Sequence, residues 1–339
     1  MKKIRIEDVA KAAGVSTTAV SFAFNNPERL NEQTVKRILQ IADQLGYSPN
    51  PHARALLTKS VGAIGILIPQ SLPAVFANPF FAAFHEGIGG VCEENRLSLM
   101  VISPAVGSLA AASAKAPVDG LIVVGLDESH PEIEVLRRRK MPFVIVDGDA
   151  VGAPSVNVDD QQGAWLAADY LLRHGHRDIL CLVFERDFSA THDGKSYGVG
   201  LRRLEGYKRA FADHAVAWSE SYLIPTAASI SAGMEAFHTI WNKADPRPTA
   251  LLAVADIMAI GVIHAAMNAG VRVPDGLAII GFDDIPQAMW TYPPLTTVHQ
   301  PAAEKGEIAA QMLLSLIAGE PLSKMHILLP TELVIRQST

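Results

Sequence analysis

The 339-residue sequence has little cysteine and no long hydrophobic run. Cys92 and Cys181 stand far apart and match no metal-ligand spacing, so they are interpreted as buried, reduced residues of a cytoplasmic protein. No stretch of about 18 apolar residues is present, which argues against a membrane-spanning helix. The first residues carry charge but no apolar segment, and we therefore expect no secretory signal.

The sequence also lacks a positive net charge, which is −6 overall. The charge is unevenly distributed, because residues 1–60 hold nine Lys or Arg against five Asp or Glu, whereas the remaining residues hold 20 against 30. A basic N-terminal piece is the electrostatic footprint expected of a domain that binds phosphate. With 49% hydrophobic and 19% charged residues, the length predicts about two to three globular domains.

Residues 4–25 predict two short helices around a tight turn. Ile6, Val9 and Ala10 fall on one helical face, and Gly14 stands where the turn needs a positive φ. Ser16 is placed to cap the second helix. This is the pattern of a helix-turn-helix, although an ordinary αα-hairpin fits the stretch equally well.

In a helix-turn-helix, the second helix enters the DNA major groove and its first residues meet the base edges. The residues in those positions are Ser16, Thr17, Thr18 and Ser21. A third helix is predicted over 32–45, with Asn31 as its N-cap and Gly46 at its C-terminal end.

From Val61 onward, apolar runs alternate with helical stretches. The run at 61–69 is apolar throughout, which is typical of a strand buried on both faces. Further strands are predicted at 97–102, 119–124, 142–146, 178–184, 249–254 and 277–281. Helices are predicted near 80–95, 130–139, 160–174, 199–213, 230–243, 256–269 and 301–318. The alternation indicates parallel sheets covered by helices, and the number of strands favours two similar α/β lobes with a cleft between them.

Several polar and aromatic side chains lie at or near the ends of these strands, where open α/β sheets bind ligands. They are Phe80, Phe81, Asp147, Arg203, Asp256 and Asp283. Carboxylates accept hydrogen bonds, an arginine donates them in a fixed fork and aromatic rings stack on sugar or base rings, so the set predicts a site for a hydroxyl-rich ligand. Core packing, helix capping or local ion pairs would account for each residue equally well.

The motifs of the whole chain resemble those of the lactose-repressor (LacI) family of bacterial transcription regulators. They are Val-Ala-x-x-Ala-Gly-Val-Ser near the N-terminus, Leu-Gly-Tyr-x-Pro-Asn with a trailing Ala-Arg-x-Leu, Asn-Pro-Phe-Phe at 78–81, Asp147, Arg-x-x-Gly-Tyr at 203–207, Val-Pro-Asp-x-x-Ala-Ile-Ile-Gly-Phe-Asp-Asp at 273–284 and Pro-Leu-Thr-Thr-Val at 294–298. The resemblance implies an α/β protein with an N-terminal helix-turn-helix domain and a core like that of periplasmic binding proteins, made of two parallel-sheet, Rossmann-like lobes.

The resemblance also implies domain boundaries. They are a DNA-binding domain at 1–48, a hinge at 49–60 and a core for effector binding and dimerisation at 61–339. The chain would cross between the core lobes near 158–161, 290–299 and 319–322. The first lobe would then hold about 61–159 and 297–320, and the second about 160–292 and 321–339.

In this family a hinge helix places a leucine in the minor groove at the centre of the operator, and residues 50–58 are the matching segment. Small Ala53 and apolar Leu56 suit that role, since a free linker should be polar, although Leu56 packing on the core is the alternative. The full predicted DNA-binding set is Ser16, Thr17, Thr18, Ser21, Phe22, Asn25, Tyr47, Asn50, Ala53, Arg54 and Leu56.

Three positions depart from the common family pattern. Phe22 replaces a usually polar base-reading residue, and it either contacts a thymine methyl or packs inward beside Phe24. Ala255 stands where many members have Asn, and Gly148 where many have Arg. These departures leave the operator sequence and the identity of the effector open.

Taken together, the sequence predicts a cytoplasmic, homodimeric regulator that acts as a repressor on a near-palindromic operator. Its effector would be a sugar or a related polyhydroxylated metabolite, and no cofactor, metal or membrane partner is expected. A solute-binding protein has the same two-lobed core but needs no basic N-terminal domain. A sugar-metabolising enzyme would need an acid/base pair or a nucleophile, and the sequence shows neither.

Overall fold

A computed structural model describes residues 4–47, 60–103, 109–185, 198–243 and 247–339. The chain divides into two compact units, Met1–Gly62 and Ala63–Thr339. The hinge segment predicted at 50–58 lies outside the described residues. Within the described ranges, no helix is both long and apolar enough to cross a membrane.

The described residues of the first unit, 4–47 and 60–62, include three helices around a small apolar core. They are α1 Ile6–Ala13, α2 Thr17–Asn25 and α3 Glu32–Leu45, with a 3-10 turn at Pro27–Arg29 before the third. Val9, Val20 and Ile38, one from each helix, are fully buried. The core is completed by alanines, whose small side chains let the helices approach closely: Ala10, Ala13, Ala23 and Ala42.

The ends of these helices are capped as the sequence predicted. Gly14 has a φ of 63°, in the left-handed region that glycine adopts at low cost. The Ser16 hydroxyl accepts a hydrogen bond from the Ala19 backbone N–H at 3.1 Å. Asn31 caps α3 in the same way through the Thr34 N–H at 2.7 Å, and Gly46 ends that helix with a φ of 66°.

The second unit contains two six-stranded sheets, one in each lobe. The strands are β1 Ala63–Leu67, β2 Ser98–Ile102, β3 Gly120–Val124, β4 Phe143–Val146, β5 Ser155–Val158, β6 Ile179–Phe184, β7 Leu223–Thr226, β8 Ala250–Ala253, β9 Ala278–Asp283, β10 Thr296–His299, β11 His326–Leu329 and β12 Glu332–Val334. The first sheet has the order β11-β5-β4-β3-β1-β2, and the second β12-β10-β9-β8-β6-β7. All neighbouring strands are parallel except β10 and β12, which are antiparallel.

Helices connect the strands, as the alternating sequence pattern predicted. They are α4 Leu72–Ala77, α5 Pro79–Glu94, α6 Leu109–Lys115, α7 Pro131–Arg138, α8 Asp160–Arg173, α9 Val199–Asp213, α10 Ile230–Lys243, α11 Asp256–Asn268 and α12 Ala302–Ala318. Ile64 and Ile66 of β1 pack with α5 and α12, whereas Ala63 and Leu67 of the same strand pack with α7 on the other face. Burial on both faces explains why this strand is apolar throughout.

The lobe boundaries differ from those predicted at two crossings. The chain leaves the first lobe near residue 159, as expected, but returns at 300–301 and crosses again at 330–331. Residues 296–299 pair with β9, so they belong to the second sheet. Residues 326–329 pair with β5 in the first sheet, which places the last crossing about ten residues after the predicted one.

Sequence reasoning also missed several short elements. No prediction covered β5, β7, β10 or β11, each of which has only four residues. Helix α6 was not predicted either. Four residues are too few for a periodic pattern to separate a strand from a loop, and these strands also lack the uninterrupted apolar sequence that revealed the four-residue strands β4 and β8.

Candidate functional site

The first candidate surface is the N-terminal end of α2. Ser16, Thr17 and Thr18 are exposed there. Val20 and Ala23 of the same helix are buried in the core of the unit, so the hydroxyl side chains stand on its free side. Hydroxyls that carry a donor and two acceptors on a free helix end can read base edges.

Three other predicted DNA contacts, Ser21, Asn25 and Tyr47, have partners within the unit. The Asn25 amide donates to the Ser21 carbonyl oxygen at 3.0 Å, and both side chains are half-buried. Tyr47 packs on the core, with its ring edge-on to Phe24 at 5.9 Å between centroids. The predicted hinge contacts Asn50, Ala53, Arg54 and Leu56 lie outside the described residues.

Phe22 is half-buried and does not share the packing of Phe24 on the core. Its ring lies beneath the guanidinium of exposed Arg29, which is 5.2 Å from the ring centroid. An arginine held over an aromatic ring keeps its N–H groups free for other acceptors. Of the two interpretations of Phe22, the structure therefore fits the one in which the ring does not pack inward beside Phe24. The sequence did not reveal the cation next to this ring.

The second candidate site is a cavity of about 400 Å³ between the two lobes. Phe80, Phe81 and Asp147 line it from the first lobe, and Arg203 and Asp283 line it from the second. The structure thus brings together five of the six residues that the sequence predicted near strand ends. Much of the remaining wall consists of small apolar side chains: Ala74, Ala77, Ala227, Ala228 and Ala255.

Asp256, the sixth predicted effector residue, does not line this cavity. It is fully buried at the start of α11, and it accepts hydrogen bonds from the Thr297 hydroxyl at 2.5 Å and from the Ile285 N–H at 3.0 Å. Gly281 leaves room for this carboxylate, because a Cβ there would lie 2.0 Å from its Oδ1. Asp256 therefore ties α11 to β10 and to the segment after β9.

The aromatic wall is set by the start of α5. The Asn78 side chain caps the helix by accepting from the Phe80 N–H at 3.1 Å. This places Phe80 and Phe81 in the first turn, with their rings edge-on at 5.3 Å. Gly148 follows Asp147 where a Cβ would lie 2.1 Å from the Leu126 carbonyl oxygen, so the close backbone approach excludes an arginine at this position.

Lys305 is a functional candidate that the sequence analysis missed. It is fully buried in α12, and its ammonium donates to both Asp147 oxygens, at 2.8 and 2.9 Å, and to Gln300 Oε1 at 2.8 Å. Its Nζ also lies 4.9 Å from the centroid of the Phe80 ring. The signal available in the sequence was the position of this lysine on the otherwise apolar, buried face of a helix. A buried charge needs a partner of opposite charge, so the position indicates a nearby carboxylate.

Arg203 has the corresponding position in the second lobe. Its Nε donates to Asp160 at 2.9 Å, and its Nη1 bonds the Val254 carbonyl oxygen and lies 3.4 Å from Asp283. The guanidinium also stacks on Phe282, 3.7 Å from the ring centroid. Its orientation is therefore fixed before any ligand arrives.

Burial governs the titration of two neighbouring carboxyl groups, those of Asp283 at the end of β9 and of Asp256 at the start of α11. Burial raises the pKa of Asp283 to about 6, while Arg203, Gln300 and Lys305 act in the opposite direction. Burial and the nearby charge of Asp283 raise the pKa of Asp256 to about 8, against the hydrogen bonds from Thr297 and Ile285. Carboxyl groups in this environment hold protons at higher pH than exposed ones.

The cavity combines carboxylate acceptors, an oriented arginine, a pair of phenylalanine rings and a largely apolar wall. This chemistry suits a ring with hydroxyl groups on its edge. In the ranges that the structure describes, no group of three or more His, Cys, Asp or Glu side chains is arranged to hold a metal ion.

Comparison with known protein families gives two matches. The family described as "Bacterial regulatory proteins, lacI family" matches residues 5–50. The family described as "Periplasmic binding protein-like domain" matches residues 168–339.

Individual relatives match over nearly the full length. The chain is similar to the HTH-type transcriptional regulator DegA of Bacillus subtilis (strain 168), with 32% identity over 99% of this chain and 98% of the relative. Among solved structures, it is similar to the lac repressor dimer bound to operator and the anti-inducer ONPF, with 25% identity, 99% coverage of both chains and a TM-score of 0.82. It is also similar to a complex of the transcriptional regulator CelR with cellobiose, with 25% identity, coverage of 99% and 100%, and a TM-score of 0.72.

Proposed function

This chain belongs to the lacI family of bacterial regulatory proteins, and from that premise we propose that it is a repressor whose operator affinity is controlled by a sugar-like effector. The effector would bind in the cavity between the core lobes. The protein would act in the cytoplasm as a homodimer on a near-palindromic operator, and it would have no catalytic activity.

The free N-terminal end of α2 carries the DNA-binding part of the proposal. Ser16, Thr17 and Thr18 are exposed there, on a helix fixed by a glycine turn and an N-cap. Residues 1–60 also hold the excess of basic residues, which supplies the attraction to phosphate. Ser21, Phe22, Asn25 and Tyr47 are proposed as further contacts, together with the hinge residues Asn50, Ala53, Arg54 and Leu56.

The lining of the interlobe cavity carries the effector part. Its carboxylates and arginine can bond ligand hydroxyls, while Phe80 and Phe81 offer ring faces to an apolar side of the same ligand. The similar CelR structure holds cellobiose, a sugar, which supports a carbohydrate or related polyol here.

A ligand that touches both lobes favours one lobe arrangement, because it binds that arrangement more tightly than the other. Asp147 comes from the first lobe, whereas Arg203 and Asp283 come from the second. We propose that this lobe movement alters the segment at 50–58 and thereby the register of the two reading helices on DNA.

The proposal of a homodimer has support from an exposed apolar surface after β9. Met289, Trp290 and Tyr292 are 64%, 74% and 77% exposed, which is unusual for large apolar side chains so close in sequence. The similar lac repressor structure is a dimer bound to its operator. A single helix-turn-helix reads few bases, so two copies on a near-palindrome would supply the specificity.

Fluorescence anisotropy with promoter DNA, repeated after addition of sugars and polyols, tests the function. We expect tight, salt-sensitive binding that one of these ligands changes. A protein that binds the ligand but no DNA would favour a solute-binding role, and turnover of the ligand would favour an enzyme.

A further inference from the structure

Lys305 is a buried cation at the boundary of the interlobe cavity. None of its surface is exposed, and its ammonium has three N–H groups and three acceptor atoms within 2.9 Å. These acceptors are the two oxygens of Asp147 and the Oε1 of Gln300, and both residues line the cavity. All three donors are therefore in use, so the ammonium has none left for a ligand.

Lys305 also sets the orientation of the Gln300 amide. Because Oε1 of Gln300 accepts from the ammonium, its Nε2 must face the other way, where it donates to Asp283 Oδ1 at 2.5 Å. The same Asp283 oxygen lies 3.4 Å from Arg203 Nη1. The chain of bonds thus runs from Lys305 in the first lobe to the carboxylate of the second.

The buried carboxylates in this linked set are matched in number by its cations. The cations are Lys305, Arg202 and Arg203, and the buried carboxylates are Asp147, Asp160 and Asp283. One exposed carboxylate, Asp149, also pairs with Arg202 at 3.2 Å. Arg202 joins the set through Asp160 at 3.0 Å, and Arg203 contacts Asp160 and Asp283. Asp147 has Lys305 as its ion-pair partner. A buried carboxylate that already has its counter-ion gains little from a second cation, but it retains lone pairs that can accept from a neutral hydroxyl.

We propose that Lys305 is a built-in counter-ion of the cavity, so that the cavity selects an uncharged hydrogen-bond donor and rejects ligands that carry an ammonium group. Lys305 acts here as a positioning residue, through Asp147 and Gln300. The inference rests on the proposed function, since it takes this cavity as the effector site. It also predicts that removal of Lys305 converts the ammonium position into a site for an added amine.

The decisive experiment is chemical rescue of Lys305→Ala with n-propylammonium chloride, which has the three carbons and the charge that the substitution removes. Melting temperatures are compared with and without the amine for the wild type, for Lys305→Ala and for Lys324→Ala, in which the lost lysine is exposed. Tetramethylammonium chloride at the same concentration controls for ionic strength, because it cannot donate a hydrogen bond. Glu185 also lines the cavity and is present in all three proteins.

We expect n-propylammonium to raise the melting temperature of Lys305→Ala by about 3 °C or more at saturation, and to leave the other two proteins unchanged. An equal response of Lys305→Ala and Lys324→Ala would overturn the proposal, as would an equal response of the wild type. This test needs neither DNA nor the natural effector, so its failure is distinct from failure of the proposed function.

A second variant covers the case in which Lys305→Ala does not fold. Lys305→Met keeps most of the side-chain volume and removes only the charge. Because Lys305 is one of the groups that oppose the raised pKa of Asp283, its loss should raise that pKa further. The melting temperature of Lys305→Met should then fall more steeply than that of Lys324→Met between pH 6 and 8. Parallel profiles would contradict the counter-ion role.

Ligand selectivity supplies the last test. The wild type should respond in thermal shift to neutral sugars, with glucose, galactose and mannose as probes, and not to glucosamine, galactosamine or mannosamine. A wild-type response to an amino sugar that exceeds the response to its neutral partner would contradict the proposal.

Discussion

The carboxyl group of Asp256 should make the stability of the core depend on pH. The group is fully buried, its hydrogen-bond partners are Thr297 and Ile285, and burial raises its pKa to about 8. In the unfolded chain it would titrate near its ordinary value of about 3.9. Between these two values, the folded protein holds a proton that the unfolded chain has released, so stability is lost as the pH rises toward 8.

The size of the effect follows from that difference. One proton bound in the folded state alone changes the free energy of unfolding by about 1.4 kcal/mol per pH unit. From pH 5.5 to pH 7.5, this group should therefore lower the stability by about 3 kcal/mol. For a unit of this size, the corresponding change in melting temperature is about 5–10 °C.

The test is Asp256→Asn, which has no titrating group. The asparagine amide can donate to the Thr297 hydroxyl while its oxygen accepts from the Ile285 N–H, so both contacts are retained. Urea or thermal unfolding of the core transition would be followed from pH 5.5 to 8.5. Asp275→Asn is the matched control, because Asp275 is exposed and its only described partner is Arg272.

We expect the wild type and Asp256→Asn to have similar free energies of unfolding at pH 5.5. As the pH rises, Asp256→Asn should become more stable than the wild type. The difference should level off above pH 8, where Asp256 is ionised in both states. A difference between wild type and Asp256→Asn that stays constant over this range would refute the assignment of the proton to Asp256.

Four further predictions concern the proposed function. Thr18→Ala should cost about 1–3 kcal/mol at one base position in competition binding, whereas a uniform loss on all sequences would rule out base reading there. Asp283→Asn should abolish the effector response and leave DNA binding in anisotropy assays, and an unchanged response would place the effector elsewhere. Leu56→Ala should weaken operator binding strongly without a change in core melting, while earlier melting with normal operator binding would indicate that Leu56 packs on the core. Light scattering should detect a dimer that Trp290→Asp weakens, and a wild-type monomer at micromolar concentration would contradict the proposed assembly.

The three described helices of the first unit could be predicted from the sequence, because each of their signals is local. Gly14, Ser16 and Asn31 act within four residues of their own position. Likewise, the apolar run at 61–69 predicts a buried strand without knowledge of its neighbours. The orientation of the Phe22 side chain was harder to predict, since its partner Arg29 lies in the 3-10 turn that follows α2.

The cavity could be predicted only in part, because its geometry depends on long-range pairing. Phe80, Phe81, Asp147, Arg203 and Asp283 were found from their positions near strand ends. Asp256 follows β8 in the same way, but the close packing of β9 and β10 buries it behind the lining.

Gln300 lies at a lobe crossing that the sequence placed too early, and Lys305 follows it in the first turn of α12. Lys305 is 158 residues from Asp147 in the chain, so no local pattern connects the two. The four-residue strands β10 and β11, whose pairing fixes the crossings at 300–301 and 330–331, carry no periodic signal of their own.

The most direct test of the central proposal is selection from random double-stranded DNA with the full chain, followed by anisotropy on the enriched sequence. We expect a near-palindrome with two half-sites, bound at least a thousandfold more tightly than unrelated DNA, a ratio of about 10³ being the lower end for specific regulators. Thr17→Ala and Thr18→Ala should remove that preference while the salt-dependent binding to any DNA persists. If no sequence is enriched, or if both variants retain the wild-type preference, α2 is not the reading helix and the proposed function is wrong.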